Sequence, residues 1–159
     1  MEKLNVLCVD DQREVLSAVA QDLEPLGDWL SIEECESAQE AMALMDELDQ
    51  AGEWVAVVVS DHVMPNQTGI ELLTDIAHDL RFKHTQKVLL TGQATHSDTI
   101  TAINLAGIDR YFEKPWDAMQ LRKAVCCLAS EYIFDQGLDY TIYQPYLDQD
   151  VLLKHLREV

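Results

Sequence analysis

Four apolar runs of this chain end beside polar residues suited to phosphate or metal chemistry. VLCVDD ends in Asp10 and Asp11, VAVVVSD ends in Asp61, VLLTG carries Thr91, and IDRYFEKP carries Lys114. If each run is a buried strand of one parallel sheet, its last residues lie at the carboxyl edge, where open α/β sheets bind ligands. The pattern therefore predicts that three carboxylates, one hydroxyl and one lysine meet at a single site.

The three carboxylates would repel one another unless a cation lay among them. Hard carboxylate oxygens favour Mg²⁺, which keeps several waters and often uses only one or two carboxylates beside phosphate oxygens. A carboxylate held there could also act as nucleophile toward a phosphoryl group and form an aspartyl phosphate. Lys114 would supply a positive charge and Thr91 a hydrogen-bond donor to the phosphoryl oxygens. The residue types thus indicate phosphoryl transfer, which depends mainly on positioning and charge neutralisation.

Short apolar runs alternate with amphipathic segments from Leu4 to about Asp135, which predicts βαβ units and a parallel sheet. Five strands and five helices joined by right-handed crossovers would form a three-layer α/β/α domain. The first helix is predicted from about Arg13 to Leu26, with Gly27 as its stop. The fourth is predicted from Thr95 to Ala106. Three capping boxes are predicted, at Ser37 and Glu40, Thr68 and Glu71, and Asp117 and Gln120.

The charge balance limits the possible partners. Eleven Lys and Arg stand against 29 Asp and Glu, a net charge of −18. This charge disfavours direct binding to nucleic acid or to anionic membranes. No apolar stretch approaches the roughly 18–20 residues that span a bilayer, and no signal-peptide core follows Met1. The four cysteines form no C-x-x-C pair and are interpreted as free thiols. We therefore expect a cytoplasmic protein.

Across about residues 3 to 135 the chain resembles the receiver domain of two-component response regulators, such as chemotaxis regulators. The matching elements are the acidic pair Asp10-Asp11, the motif SDHVMPNQTG around Asp61, the pair Thr91-Gly92, and Tyr111 three residues before Lys114-Pro115. The resemblance implies a flavodoxin-like α/β/α sandwich whose five-stranded parallel sheet has the order 2-1-3-4-5. It also implies a receiver domain at 1–135, followed by a C-terminal extension or linker at 136–159.

The resemblance further implies roles for the site residues. Asp61 would accept a phosphoryl group from a phosphohistidine of a sensor histidine kinase or phosphotransfer protein. Mg²⁺ would be bound directly by Asp11, Asp61 and the backbone carbonyl of Val63, with Asp10 acting largely through water. The protein would then be a signalling switch and not an enzyme, its own chemistry limited to self-phosphotransfer and autodephosphorylation.

The switch itself is implied to involve Thr91 and Tyr111. Lys114 would contact the phosphoryl group, and Thr91 would move to hydrogen-bond it. Tyr111 would turn from an outward to an inward position and alter binding at the face formed by the fourth helix, fifth strand and fifth helix. Pro115 would follow a cis peptide bond from Lys114. Val63 and Gln93, two residues after Asp61 and Thr91, are hypothesised to tune the lifetime of the phosphorylated state.

Two other functions compete with the switch. A Mg²⁺-dependent phosphohydrolase with an aspartyl nucleophile would be an enzyme, but haloacid-dehalogenase-type phosphatases carry D-x-D-x-T after the first strand, which Asp10-Asp11 does not match. A flavodoxin-like cofactor binder would need a phosphate-cradling loop there, and the acidic Asp10-Asp11-Gln12 would repel phosphate without a metal.

The segment after Gln136 differs in composition from the rest. It contains three tyrosines and one proline before a short helical pattern that ends near Leu156. It is too short to form a domain, and it could pack on the core, mediate a homodimer, or begin an output region. The stretch AINLAGIDRYFEKPWD resembles receivers attached to signalling enzymes and not those attached to DNA-binding domains, so an output domain fused to this chain remains open.

Overall fold

A computed structural model describes residues 1–92 and 96–158, and its centre is a parallel sheet of five strands. The strands are β1 (Leu4–Val9), β2 (Leu30–Cys35), β3 (Val55–Asp61), β4 (Gln86–Thr91) and β5 (Arg110–Glu113). Their order is β2-β1-β3-β4-β5, and every pair is parallel. This confirms the predicted sheet and its order.

One helix follows each strand, and two further helices come after the fifth. They are α1 (Arg13–Leu23), α2 (Ala38–Gln50), α3 (Gly69–Ala77), α4 (His96–Ala106), α5 (Ala118–Gln136), α6 (Tyr140–Tyr143) and α7 (Gln149–Arg157). Within the described ranges, none of these helices is long and apolar enough to cross a bilayer.

The predicted first helix was too long. It ends at Leu23 and continues as a 3-10 turn over Glu24–Leu26. Pro25 explains the change, because proline lacks the N–H that an α-helix needs and its ring clashes with the preceding turn. The predicted start of the fourth helix at Thr95 lies outside the described residues, as does Gln93.

The predicted helix caps form to different extents. Thr68 and Glu71 make the full reciprocal capping box at the start of α3. Ser37 and Asp117 accept from the backbone N–H three residues ahead, as predicted. The Glu40 side chain, however, accepts from the backbone N–H of Glu36 and not from that of Ser37.

Each face of the sheet buries its own apolar cluster. Val6 and Cys8 of β1 point to the side covered by α1 and α5, whereas Leu7 and Val9 point to the side covered by α2 and α3. Strands covered on both faces read as continuous apolar runs, which is why β1 and β3 were recognisable in the sequence. The rigid strands carry their last residues to one edge.

Residues 138–158, which we call the strap, fold back onto the α1 and α5 side. Tyr143, Leu147 and Leu152 belong to the same buried cluster as β1 and α5. The ring of Trp29 lies 6.3 Å from that of Tyr143 and 6.4 Å from that of Tyr146. The Tyr143 hydroxyl donates to the backbone oxygen of Glu2 at 2.6 Å, so the strap reaches the amino end of the sheet.

Candidate functional site

The carboxylates of Asp10, Asp11 and Asp61 meet at the carboxyl edge of the sheet. One oxygen of each lies within 4.8 Å of the others. The register explains this proximity. Val9, the last residue of β1, lies opposite Ser60 of β3, and the residue that follows each of them in the chain is an aspartate. Asp10 and Asp61 are buried, whereas Asp11 is exposed. The sheet therefore holds two aspartates of the cluster out of bulk water.

Lys114 enters this cluster from the loop after β5. Its Nζ lies 2.6 Å from Oδ1 of Asp61 and 3.5 Å from Oδ2 of Asp10. Its backbone N–H donates to the oxygen of Thr91 at 2.9 Å, which ties the loop to β4, and the Lys114–Pro115 peptide bond is cis. One lysine thus faces two buried carboxylates, so the cluster keeps an excess of negative charge.

The pKa of Asp10 responds to its burial and to the charges around it. Burial raises the pKa of Asp10 above its ordinary value, because a low-dielectric environment disfavours the charged form. The Asp61 carboxylate raises that pKa further, while the Gln12 backbone N–H at 2.8 Å and the Lys114 ammonium act in the opposite direction. The net effect is a raised pKa, so this environment disfavours the ionised form of Asp10.

Thr91 and Tyr111 lie on neighbouring strands. Thr91 is buried at the end of β4, where it pairs with Glu113 of β5. Tyr111 lies two residues earlier on β5, which is the edge strand, and its side chain is 41% exposed. Val63, in the loop after Asp61, is exposed. The structure therefore brings Thr91 to the edge and describes Tyr111 in an outward position.

The loop after Asp61 contains a constraint that the sequence did not reveal. A Cβ at Gly69 would collide with the backbone oxygen of Asp61, so only glycine fits there. The same loop is closed by a hydrogen bond of 2.8 Å from the Gly69 N–H to the His62 oxygen. The Ser60 hydroxyl donates to the Asp61 backbone oxygen at 2.9 Å. A glycine directly after a capping threonine was the available signal, but it was interpreted only as part of a motif.

The donor set of the site suits Mg²⁺. Three carboxylates supply the hard oxygen ligands that this ion prefers. A divalent cation would stabilise the ionised form of Asp10, which burial and, to a smaller extent, the Asp61 carboxylate disfavour. The residues present therefore fit the metal that the motifs predicted.

Comparisons with known proteins agree with this geometry. The family model of the response regulator receiver domain matches residues 6–126. Chemotaxis protein CheY1 of Helicobacter pylori is 28% identical over 120 residues, which cover 76% of this chain and 92% of CheY1. The hydrogenase transcriptional regulatory protein HoxA of Cupriavidus necator is 32% identical over 115 residues, which cover 72% of this chain but only 22% of HoxA.

Solved structures give the same result. A CheY-like response regulator receiver domain protein from Methanospirillum hungatei matches with a TM-score of 0.70 and 27% identity, over 84% of this chain and 99% of that one. The signal receiver domain of an HD domain-containing protein from Pseudomonas fluorescens matches with a TM-score of 0.67 and 31% identity, over 78% and 92%. The chain belongs to the response regulator receiver domain family.

Proposed function

We propose that this chain is a phosphorylation-driven switch in which Asp61 accepts a phosphoryl group from a phosphohistidine. The donor would be a sensor histidine kinase or a phosphotransfer protein. The observation that carries the proposal is the buried Asp61 carboxylate, 2.6 Å from Lys114 and clustered with two further aspartates at the edge of the sheet. A carboxylate in that position has both a charge partner and access to the crevice.

The transfer is a displacement at phosphorus. An oxygen of the Asp61 carboxylate forms the new bond to phosphorus as the bond from phosphorus to the imidazole nitrogen breaks. The electron pair of that bond leaves with the imidazole, whose other ring nitrogen already carries a proton, so the products are an aspartyl phosphate and a neutral histidine. Lys114 exchanges its contact with the Asp61 carboxylate for a phosphoryl oxygen and keeps its charge beside the developing negative charge.

Mg²⁺ would be held by Asp11, Asp61 and the backbone carbonyl of Val63, with Asp10 acting largely through water. The bound ion would neutralise charge on the phosphoryl oxygens. Asp10 would keep its hydrogen bond from the Gln12 N–H, which fixes the orientation of its carboxylate. The exposed position of Asp11 leaves that side of the cluster open to solvent and to the donor.

Phosphorylation would be communicated through Thr91 and Tyr111. The Thr91 hydroxyl would turn to hydrogen-bond the phosphoryl group, and Tyr111 would move inward from its present exposed position. The surface altered by this movement is the face of α4, β5 and α5, where Leu105 and Met119 are also exposed. Val63 beside the acceptor, together with Gln93, would set the lifetime of the aspartyl phosphate.

The output of this switch is a partner protein or a further domain. HoxA and the response regulator Rre1 of Synechocystis are longer than the segment they share with this chain, which covers 22% and 51% of them. The charge of −18 argues against direct nucleic-acid binding by the chain itself.

The experiment that tests the acceptor is intact mass spectrometry after incubation with Mg²⁺ and acetyl phosphate or a phosphoramidate. We expect one hydroxylamine-labile phosphoryl adduct, complete loss of it in Asp61→Asn, and retention in Asp49→Asn, which alters an exposed aspartate in the last turn of α2. An adduct that survives Asp61→Asn would overturn the assignment. Many turnovers of donor without an accumulated adduct would instead identify the phosphohydrolase.

A further inference from the structure

The outer face of α7 carries an acid, a leucine and a base in one row. Asp150, Leu153 and Arg157 stand at positions i, i+3 and i+7, and this spacing places all three on the same side of a helix. All three are exposed, Leu153 by 48%, whereas Val151 and Leu152 are buried against the core. The row is therefore the outer surface of the strap.

Contacts on the inner side of α7 fix its rotation. Asp148 caps the helix by accepting from the Val151 N–H at 3.2 Å. The His155 ring stacks on Phe134 of α5 at 4.1 Å between centroids, and its Nε2 lies 2.8 Å from the Glu131 carboxylate. Because the inner face is held in this way, the outer row points to solvent in a defined orientation.

The two charged residues of the row have no ion-pair partner within the described part of the chain. Lys154 and His155 pair with Glu131, but among residues 1–92 and 96–158 neither Asp150 nor Arg157 takes part in an ion pair. Leu156, which is 42% exposed, flanks the row. A surface of this kind is complementary to one that carries a base, an apolar side chain and an acid in the opposite order.

We propose that this partner is α7 of a second copy of the chain, bound antiparallel about a two-fold axis beside Leu153. In that arrangement Asp150 of each helix lies opposite Arg157 of the other, and the two Leu153 side chains pack between the ion pairs. An isologous contact of this kind needs a surface that is complementary to itself, and an acid–leucine–base row has that property.

Charge distinguishes the α7 row from most of the surface. With 29 acidic against 11 basic residues, most surfaces of two copies repel each other, whereas the α7 row attracts its own copy. The pairing involves two helices of nine residues, each about 13.5 Å long, so the area is below that of a standard stable interface and the dimer is transient. The ion pairs determine its orientation more than its affinity. This pairing does not depend on the proposed phosphorylation.

Sedimentation velocity of the full chain, from low to high micromolar concentration and at two ionic strengths, tests the pairing. We expect concentration-dependent dimers of the native chain at both ionic strengths, because added salt screens the ion pairs and also the repulsion between two copies of net charge −18. Asp150→Arg places two bases opposite each other and Arg157→Asp places two acids opposite each other, so each variant alone loses about tenfold or more in self-association. Lys83→Asp makes the same charge change as Arg157→Asp at an exposed site outside the strap and leaves the dimer intact.

The decisive sample is an equimolar mixture of Asp150→Arg and Arg157→Asp. One variant then carries bases at both ends of its row and the other carries acids, so the mixture forms a heterodimer although neither variant forms a dimer alone. Unfolding of α7 by either substitution could not produce this rescue. A native chain that stays monomeric, a dimer that is insensitive to Asp150→Arg, or a mixture that stays monomeric would each overturn the proposal.

Discussion

The carboxyl edge of the sheet and the strap differ in the side chains that they bury. The edge buries charged groups, whereas the strap buries mainly apolar and aromatic ones. At the edge, Asp10 and Asp61 are buried beside each other with Lys114 as a shared cation. In the strap, Tyr143 and Leu152 are buried against apolar neighbours, and the Tyr143 hydroxyl has a hydrogen-bond acceptor. The edge concentrates charged side chains, while the strap adds apolar packing to the core.

This contrast shows how one small domain accommodates a buried charged site. Burial and, to a smaller extent, the Asp61 carboxylate raise the pKa of Asp10, so ionised Asp10 lowers the stability of the folded state. Burial of aromatic and aliphatic side chains provides compensating stability, and the strap places such side chains over the amino end of the sheet, away from the aspartate cluster.

The largest loss of stability should follow from Trp29→Ala, which removes the ring that the strap packs against. This residue is buried, and its ring lies beside both Tyr143 and Tyr146. We expect a loss of about 4 kcal/mol in the free energy of unfolding, measured by urea denaturation. Leu156→Ala, at an exposed position of the same strap, should change it by less than about 0.5 kcal/mol. A loss as small for Trp29→Ala would show that the strap adds little to the core.

A smaller loss should follow from Gly69→Ala at the edge. The added methyl group meets the Asp61 backbone oxygen, so the loop or the end of β3 must shift, at about 2 kcal/mol. The shift would also move the acceptor, and adduct formation with acetyl phosphate should slow. Gly92→Ala is the matched control for stability, because a Cβ there meets nothing within 4 Å. Equal stability of the two variants would contradict the close approach.

The smallest expected effect is a gain in stability. Asp10→Asn keeps an oxygen that accepts from the Gln12 N–H but removes a buried charge whose pKa is raised. With EDTA present, Tm should rise by a few degrees at neutral pH, as followed by circular dichroism.

The pH dependence of that gain follows from the sign of the shift. Because the folded-state pKa of Asp10 lies above its unfolded value, ionisation costs stability, and the cost appears as pH rises through the folded-state pKa. Below the unfolded pKa the side chain is protonated in both states, so the gain of Asp10→Asn should vanish there. Added Mg²⁺ should reverse the order of the two proteins at neutral pH, because only the native cluster binds the ion fully. A variant less stable than the native chain in EDTA would contradict the raised pKa of Asp10.

Prediction from the sequence succeeded where one chain segment carries the whole signal. The apolar runs of β1 and β3 and the capping box at Thr68 depend only on neighbouring residues, and the structure contains all of them. The first helix is three residues shorter than predicted with Gly27 as its stop, because Pro25 favours a 3-10 turn before that glycine. The roles assigned to Thr91 and Tyr111 stay predictions.

Contacts between distant segments were not predictable in the same way. Trp29 and Tyr143 are more than a hundred residues apart, and no periodicity connects them. The requirement for glycine at position 69 arises only when the start of α3 returns to the end of β3. Each of these features depends on the distance between two backbones, which a pattern of residue types does not contain.

By itself, the sequence of this protein determined the strands, their polar ends, the acidic balance and the family, because apolar periodicity and motif order are local properties. Only the tertiary structure decided that the strap covers α5 and the amino end of the sheet, and that Asp150, Leu153 and Arg157 face solvent. The physical reason is burial: whether a side chain of an amphipathic helix is covered or exposed depends on the surface against which the helix packs.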